Sequence, residues 1–167
     1  MIPNAPVPSP VPTDVAPAST APDRTAHSPL LASLIARHGY ALVDAETLDV
    51  VAGVHPLSMV LLAGDWWRLA ESDDLAVIVP ELDKALDGQV AVLVATREAE
   101  RALQRRFRFT SFPALVFLRE GAYLGAMEGV RDWADYLVEL PEILCREPEA
   151  PPPFRMPAGC ATPAGEA

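Results

Sequence analysis

The sequence is poor in cysteine, histidine and positive charge, and each shortage excludes a class of function. Two cysteines, Cys145 and Cys160, and three scattered histidines form no cluster with the spacing of metal ligands, so we predict no metal site. Lysine and arginine total 13 against 23 aspartates and glutamates, which gives a formal net charge of −10. Because binding to phosphates requires the opposite charge, nucleic acid is disfavoured as a partner.

Long apolar runs and the common catalytic motifs are also missing. No segment approaches the roughly 20 apolar residues that span a bilayer. The N-terminus has no basic residue before Arg24 and no uninterrupted apolar run, so it does not match a secretory signal, and we expect a cytoplasmic protein. The motifs G-x-x-x-x-G-K-[ST], G-x-G-x-x-G, G-x-S-x-G and H-E-x-x-H are absent. We therefore predict no bound cofactor, and an enzyme is the weaker class.

Proline is plentiful, but mainly at the two ends of the chain. Of 18 prolines, eight lie in residues 1–29 and six in residues 148–167. Such stretches have little with which to build a core, so we predict disordered tails at 1–27 and 148–167. The N-terminal tail could instead bind a partner as a polyproline segment, but no paired P-x-x-P with a basic anchor supports this. A hydrophobic content of 50% suffices for one domain, which we place at 28–147.

Hydrophobic periodicity predicts alternating helices and strands within this domain. Ser28 and Pro29 are typical of a helix start, Gly39 of its end, and Asp44 and Asp132 of later helix caps. Strands are predicted at 40–43, 57–63, 89–95, 114–118 and 123–127, and further helices at 47–52, 73–86, 96–107 and 133–140. Right-handed crossovers between parallel strands place helices on both faces of a sheet. The predicted fold class is α/β, with a central mixed sheet flanked by helices.

The stretch from Phe107 to Leu140 resembles the C-terminal half of the thioredoxin fold. Pro113 stands eight residues before Gly121, and Gly121 stands eight residues before Gly129, with apolar strands between them and a helix after. A proline inside the preceding helix, Pro80, adds to the resemblance. The resemblance implies that a cis peptide bond precedes Pro113 and that this proline lines the groove of the site.

Other residues occupy the positions at which thioredoxins carry their redox cysteines. Counted back from Pro80, these positions fall on Ser72 and Leu75. Dithiol exchange needs two sulfurs, one as the attacking thiolate and one to resolve the mixed disulfide. We therefore predict no thiol redox activity. An enzyme that uses Cys145 alone is the weaker alternative, because the negative end of a helix dipole does not favour a thiolate.

A narrower resemblance covers residues 28–144 and is strongest from Phe107 onward. The run RF-x-F-x-x-FPALVF, followed by Y-x-G-x-x-x-G-V-x-x-WA, looks like the hydrogenase expression/formation family often called HyaE or HupG. Proteins of that family are thioredoxin-like, lack the cysteine pair and assist maturation of the small subunit of nickel–iron hydrogenases.

This resemblance implies a non-catalytic chaperone. Its partner would be the hydrogenase small-subunit precursor, bound through its twin-arginine signal peptide or its cluster-binding domain before export. Other hydrogenase maturation proteins are further candidate partners. A thioredoxin-like adaptor for another basic client is the alternative, and a thiol oxidoreductase is less favoured still.

Charge is distributed unevenly along the chain. Residues 44–87 contain ten acidic residues against Arg68 and Lys84, which favours a basic partner, although a merely solvated acidic face is the blander explanation. The helix after residue 96 is basic, with Glu98 and Glu100 at its start and the arginines Arg97, Arg101, Arg105, Arg106 and Arg108. This order matches the helix dipole, so we interpret these charges as structural.

The loop after the central strand is the candidate partner-binding site. Two adjacent tryptophans in a polar loop cannot both enter one core, so we expect at least one to be an exposed binding anchor. The alternative is that one of them packs at the sheet edge as a satellite of the core. The predicted partner-binding residues are Asp65, Trp66, Trp67, Glu71, Asp73 and Asp74, with Phe112 and Pro113 as the floor.

Overall fold

The computed structural model describes residues 23–153, which form a five-stranded mixed sheet with helices on both faces. The elements follow one another as α1 (Pro29–His38), β1 (Ala41–Val43), α2 (Leu48–Gly53), β2 (Leu57–Leu62), α3 (Glu71–Ala85), β3 (Ala91–Ala95), α4 (Glu100–Phe107), β4 (Ala114–Arg119), β5 (Ala122–Glu128) and α5 (Trp133–Leu144). The predicted order of helices and strands is confirmed, as is the predicted α/β class with a flanked mixed sheet.

The order of strands in the sheet decides where the site lies. The strands are arranged β1-β3-β2-β4-β5, with β2 in the centre. β2 runs parallel to β3, with Val60 opposite Leu93, and antiparallel to β4, with Leu62 opposite Ala114. The carboxyl end of β2 therefore meets the beginning of β4 at one edge of the sheet. The loop after β2 and the Phe112–Pro113 dipeptide are neighbours for this reason.

Side chains alternate along the central strands and so build a core on each face of the sheet. Met59 and Leu61 of β2 pack with α1, α3 and α5 on one face. Val60 and Leu62 pack with α2 and α4 on the other. Because both faces of β2 are covered, Met59 through Leu62 are all essentially inaccessible to solvent. The continuous apolar run of this strand reflects its central position.

The ends of the helices agree with the predicted caps in part. Ser28 caps α1, since its Oγ accepts a hydrogen bond of 3.0 Å from the Leu31 N–H, and Gly39 ends this helix at φ 70°. The Asp44 carboxylate accepts hydrogen bonds from the backbone N–H of Glu46 and Thr47, just before α2. Asp132 is the N-cap residue of α5, as predicted, but its side chain accepts no capping hydrogen bond.

Three helices differ in extent from the prediction. α3 begins at Glu71 rather than residue 73, and α4 begins at Glu100 rather than residue 96, because residues 96–99 form a turn before it. α5 passes through Pro141 to Leu144, although a proline removes one hydrogen bond from a helix interior. The buried side chain of Ile143, beyond the proline, keeps the last turn of α5 on the core.

The predicted domain limits at 28 and 147 stay predictions, because most of each predicted tail, residues 1–22 and 154–167, lies outside the described residues. Short described parts of the predicted tails contact the domain. The Glu149 N–H donates a hydrogen bond of 3.0 Å to the Tyr123 carbonyl, and Arg108 donates one of 3.3 Å to the Pro152 carbonyl. Residues 23–27 contact the loop after β2. Within residues 23–153, no helix is long and apolar enough to cross a membrane.

Candidate partner-binding site

A close contact between Gly64 and Phe112 forms the base of the candidate site. Gly64 follows β2 with φ 80°, and a Cβ atom added there would lie 2.6 Å from the Cβ of Phe112. Both the backbone conformation and the lack of space therefore require glycine at this position. The contact joins the two predicted parts of the site, which are the segment of residues 64–74 and the Phe112–Pro113 dipeptide.

The Phe112–Pro113 peptide bond is cis, which is the geometry that the thioredoxin resemblance implied. Pro113 is buried, and its carbonyl accepts a hydrogen bond of 2.8 Å from the Gly129 N–H. Phe112 is half-buried, with its ring at 5.2 Å from the ring of Phe109 and at 5.2 Å from the guanidinium carbon of Arg101. Phe112 is thus the member of the pair that reaches the surface, and Pro113 supports it from below.

The two positions at which a thioredoxin would carry cysteines have structural roles. Ser72 is 1% exposed, and its hydroxyl donates a hydrogen bond of 2.7 Å to the Ala63 carbonyl, which ties the first turn of α3 to the end of β2. Leu75 is fully buried in the core. Cys145, the free cysteine of the described residues, is exposed at the far end of α5. Ser72 and Leu75 therefore hold the loop in place, and neither presents a thiol at its surface.

The two tryptophans of the loop differ in exposure. Trp67 has 58% of its surface exposed, whereas Trp66 is half-buried, and the two rings meet edge to face with centroids 5.7 Å apart. The expectation that at least one tryptophan is exposed therefore holds for Trp67. Its role as a binding anchor stays a prediction. The T-shaped contact with Trp66 supports the exposed ring from one side.

An unexpected contact covers part of this surface. Arg24 forms an ion pair with Asp65, the indole N–H of Trp66 donates a hydrogen bond of 3.1 Å to the Ala26 carbonyl, and the Ser28 hydroxyl donates one of 2.5 Å to Asp73. The hydrogen bond from Arg24 holds the pKa of Asp65 below its usual value, so this carboxylate stays ionised. The contacts of Arg24 and Ala26 were not predicted, because residues 1–27 were expected to form a disordered tail. The available signal was Arg24, the first basic residue of the chain.

A buried ion pair lies beneath the loop. Glu100 is 1% exposed, its Oε1 accepts a hydrogen bond of 2.9 Å from the Gly64 N–H, and its Oε2 pairs with Arg97. Burial raises the pKa of Glu100, while the Gly64 N–H and Arg97 act in the opposite direction. The interpretation of these charges as complements of the helix dipole therefore missed their main contact. The spacing of Arg97 and Glu100, three residues apart, was the signal for the pair.

Acidic side chains gather at the beginning of α3. Glu71, Asp73 and Asp74 all lie in its first turn, where the helix dipole favours negative charge. Glu71 and Asp74 are exposed, and Asp73 is half-buried beside Ser28. Together with Asp65 they give the loop after β2 an acidic surface with an exposed tryptophan in it. Among residues 23–153 no group of three or more histidine, cysteine or acidic side chains has the geometry of a metal site.

The fold and this site define a class of protein: a thioredoxin-like domain whose loop after the central strand is acidic and aromatic in place of the dithiol. The structure of thioredoxin from Plasmodium falciparum superposes with a TM-score of 0.50 over 61% of this chain and 96% of that chain, at 18% sequence identity. This likeness shows the fold.

The particular family follows from closer relatives. A family model described as hydrogenase-1 expression protein HyaE matches residues 30–136. The hydrogenase expression/formation protein HoxO of Azotobacter vinelandii is 42% identical over 121 residues, which are 72% of this chain and 81% of that protein. HoxO of Cupriavidus necator is 34% identical over 146 residues, 86% of this chain and 91% of that protein. The chain belongs to the HyaE family of hydrogenase expression proteins.

Proposed function

We propose that this protein is a cytoplasmic, non-catalytic chaperone for maturation of the nickel–iron hydrogenase small subunit. In this proposal it binds the small-subunit precursor, including its twin-arginine signal peptide, before export. Membership of the HyaE family and relatives named as hydrogenase expression/formation proteins support a role in hydrogenase maturation. The observation that carries the binding site is the acidic surface around Trp66 and Trp67, which already holds an arginine of the chain itself.

The chemistry of the proposed client matches this surface. A twin-arginine signal has a basic start and then an apolar stretch. Carboxylates accept bidentate hydrogen bonds from guanidinium groups, so Asp65 and the acids of α3 suit the basic start. The exposed ring of Trp67, with Phe112 beside Gly64, offers apolar contact for the apolar stretch. Other hydrogenase maturation proteins are further candidate partners.

The absence of catalysis is part of the proposal and rests on the same loop. A thiol enzyme would need a reactive sulfur where the structure has the buried hydroxyl of Ser72 and the buried side chain of Leu75. The Ser72 hydroxyl donates its hydrogen bond to the Ala63 carbonyl. Its hydrogen-bond partner is therefore not a base that could activate the hydroxyl as a nucleophile. A chaperone needs neither group to react.

A pull-down from a host that expresses the hydrogenase tests the proposed function. We expect the precursor to be recovered with this protein from a host that expresses the hydrogenase, and its absence there would reject the assignment. Recovery of a different basic client would support the adaptor alternative instead.

The position of the site is tested with charge-matched variants. One variant carries four substitutions, Asp73→Asn, Asp74→Asn, Trp66→Ala and Trp67→Ala. It should not bind the precursor, while its far-ultraviolet circular dichroism is unchanged. As a control for the charge change, Glu81→Gln with Glu142→Gln removes two acids that are exposed on α3 and α5 outside the loop. The control should bind normally, and affinity should fall as salt is raised because charges attract across the contact. Equal binding by both variants would place the site elsewhere.

A further inference from the structure

The N-terminal strap, which we define as residues 23–28, lies on the surface that the proposed client would use. Three of the predicted partner-binding residues contact it: Asp65 pairs with Arg24, Trp66 donates to the Ala26 carbonyl, and Asp73 accepts from Ser28. The three contacts involve a cation, a backbone carbonyl and a hydroxyl. An extended peptide with an arginine would offer the cation and the carbonyl, and a serine or threonine in it would offer the hydroxyl.

The strap has a local turn at its beginning and is anchored to α1 at its end. At its beginning the Asp23 carboxylate accepts hydrogen bonds from the backbone N–H and the hydroxyl of Thr25, at 2.9 and 2.6 Å, which fixes a turn around Arg24. At its end Ser28 caps α1 through the Leu31 N–H. Because so few residues separate Arg24 from the rigid helix, its effective concentration at Asp65 is high, on the order of millimolar.

Two contacts of the strap with the loop, those of Arg24 and Ala26, are weak enough to be exchanged. The side chains of Arg24 and Asp65 are 51% and 27% exposed, so water competes for their ion pair and salt screens it. The hydrogen bond between Trp66 and Ala26 is also an exposed contact. The strap therefore covers the acidic loop without closing it permanently.

We propose that the strap is a built-in competitor of the client: Arg24 occupies Asp65 until an arginine of the client peptide displaces it. The inference rests on the proposed function and adds a regulatory step to it. The ligand that this surface binds is then an extended segment with an arginine at Asp65 and a free backbone carbonyl for the Trp66 indole. Displacement requires the client to contribute more contacts than the strap, and the exposed ring of Trp67 is available for them.

Two variants of equal charge test the proposal. Arg24→Ala removes the strap's cation, and Arg37→Ala removes an exposed arginine from the last turn of α1, away from the loop. The probe is a synthetic peptide of the small-subunit signal sequence, titrated by calorimetry into each full-length protein. Because the ion pair is exposed, we expect Arg24→Ala to tighten binding by about threefold to tenfold. Arg37→Ala should leave the affinity unchanged.

The position of the strap is followed separately by nuclear magnetic resonance. In the free protein the Trp66 indole N–H signal should differ between the wild type and Arg24→Ala, and the peptide should bring the backbone signals of residues 24–26 to those of a released segment.

The possible results separate the inference from the proposed function. Unchanged or weaker binding by Arg24→Ala, with a site that still requires Trp66 and Asp73, overturns the strap as a competitor and leaves the chaperone intact. A strap that stays docked in the peptide complex does the same. No binding of the peptide by any of the proteins overturns the proposed signal-peptide site, and the competition with it.

Discussion

The backbone N–H of Gly64 donates a hydrogen bond of 2.9 Å to the Oε1 of Glu100, which lies 36 residues later in the chain. This bond joins the first residue of the loop after β2 to the first residue of α4. Arg97 neutralises the same carboxylate, which is 1% exposed. The surface that carries the tryptophans is therefore positioned from beneath by a buried ion pair.

Removal of one member of this pair should be costly. Arg97→Met leaves Glu100 buried without its cation, and we expect the free energy of unfolding to fall by about 3–5 kcal/mol. Urea denaturation measures the loss. Arg105→Met, which removes an exposed arginine of α4, should change stability by less than about 0.5 kcal/mol. A similar small loss for both variants would mean that Glu100 does not depend on Arg97.

The contact of Gly64 with Phe112 should be sensitive to a single methyl group. Gly64→Ala adds a Cβ that would lie 2.6 Å from the Cβ of Phe112, at a residue with φ 80°. Gly39→Ala is the matched control, because its φ is 70° and nothing lies within 4 Å of the added atom. We expect about 1–2 kcal/mol of destabilisation from backbone strain at Gly39 and clearly more at Gly64. Equal losses in thermal unfolding would show that the space beside Phe112 is not limiting.

Hydrophobic periodicity was sufficient to predict the α/β class and the order of helices and strands, since apolar runs and caps depend on local sequence. The thioredoxin-like fold itself followed from the resemblance. The position of Phe112 beside the loop followed from the family resemblance, and the antiparallel pairing of β2 with β4 explains it. The contacts of Glu100 and Arg24 were missed for a common reason. Each joins residues about 40 apart, and a charged residue has no periodic pattern that marks it as buried or docked. The tails were predicted from their composition. A single polar contact, such as that of Arg24 with Asp65, does not show in composition.

Trimming of the two ends measures how much residues 23–27 and 148–153 contribute to stability. A protein of residues 23–153 keeps the contacts of Arg24 with Asp65 and of Glu149 with Tyr123, and we expect its melting temperature to equal that of the full chain. A protein of residues 28–147 loses these exposed contacts, each worth about 1 kcal/mol or less. Its melting temperature should fall by several degrees, roughly 3–6 °C per kcal/mol for a domain of this size. No difference between the two proteins would show that residues 23–27 and 148–153 add no stability.

The protein should not reduce disulfides. Ser72 and Leu75 stand at the positions of the redox cysteines, and Cys145 lies at the end of α5, far along the chain from the loop. In an insulin reduction assay with dithiothreitol, we expect the rate with the protein to equal the rate without it. Cys145→Ser is the control for the exposed thiol and should behave identically. A faster rate that Cys145→Ser abolishes would contradict the proposed non-catalytic role.

The strap should dock more weakly in acid because it contains His27. Neither ring nitrogen of His27 has a hydrogen-bond partner, and both are buried. Burial lowers the pKa of His27 below its usual 6.5, and the charge of Arg97 lowers it further, while a weaker contact with the Ala95 backbone acts in the opposite direction. His27 lines a cavity of the surface, and the charged residues that line this cavity with it are Arg97 and Glu98. A docked histidine with a lowered pKa stabilises docking fully above pH 6.5, and this contribution is lost as the pH falls toward the pKa of the docked state.

Protonation of His27 occurs at a higher pH than protonation of Asp65. The pKa of Asp65 is lowered, so this carboxylate, which forms the ion pair with Arg24, stays ionised until the pH is below 3.8. A titration of the Trp66 indole N–H signal between about pH 5 and pH 8 should therefore show docking that weakens in acid, with the apparent midpoint below the usual histidine value. His27→Gln should remove the pH dependence, because glutamine does not titrate. His38→Gln is the control: His38 is exposed and stacks on Tyr40, on the far end of α1, so its loss should leave the titration unchanged. If the transition persists in His27→Gln, the strap responds to another group. If the pH dependence is lost in His27→Gln and kept in His38→Gln, acid weakens docking of the strap through His27. The Asp65 carboxylate, which would bind the client's arginine, stays charged over the same pH range.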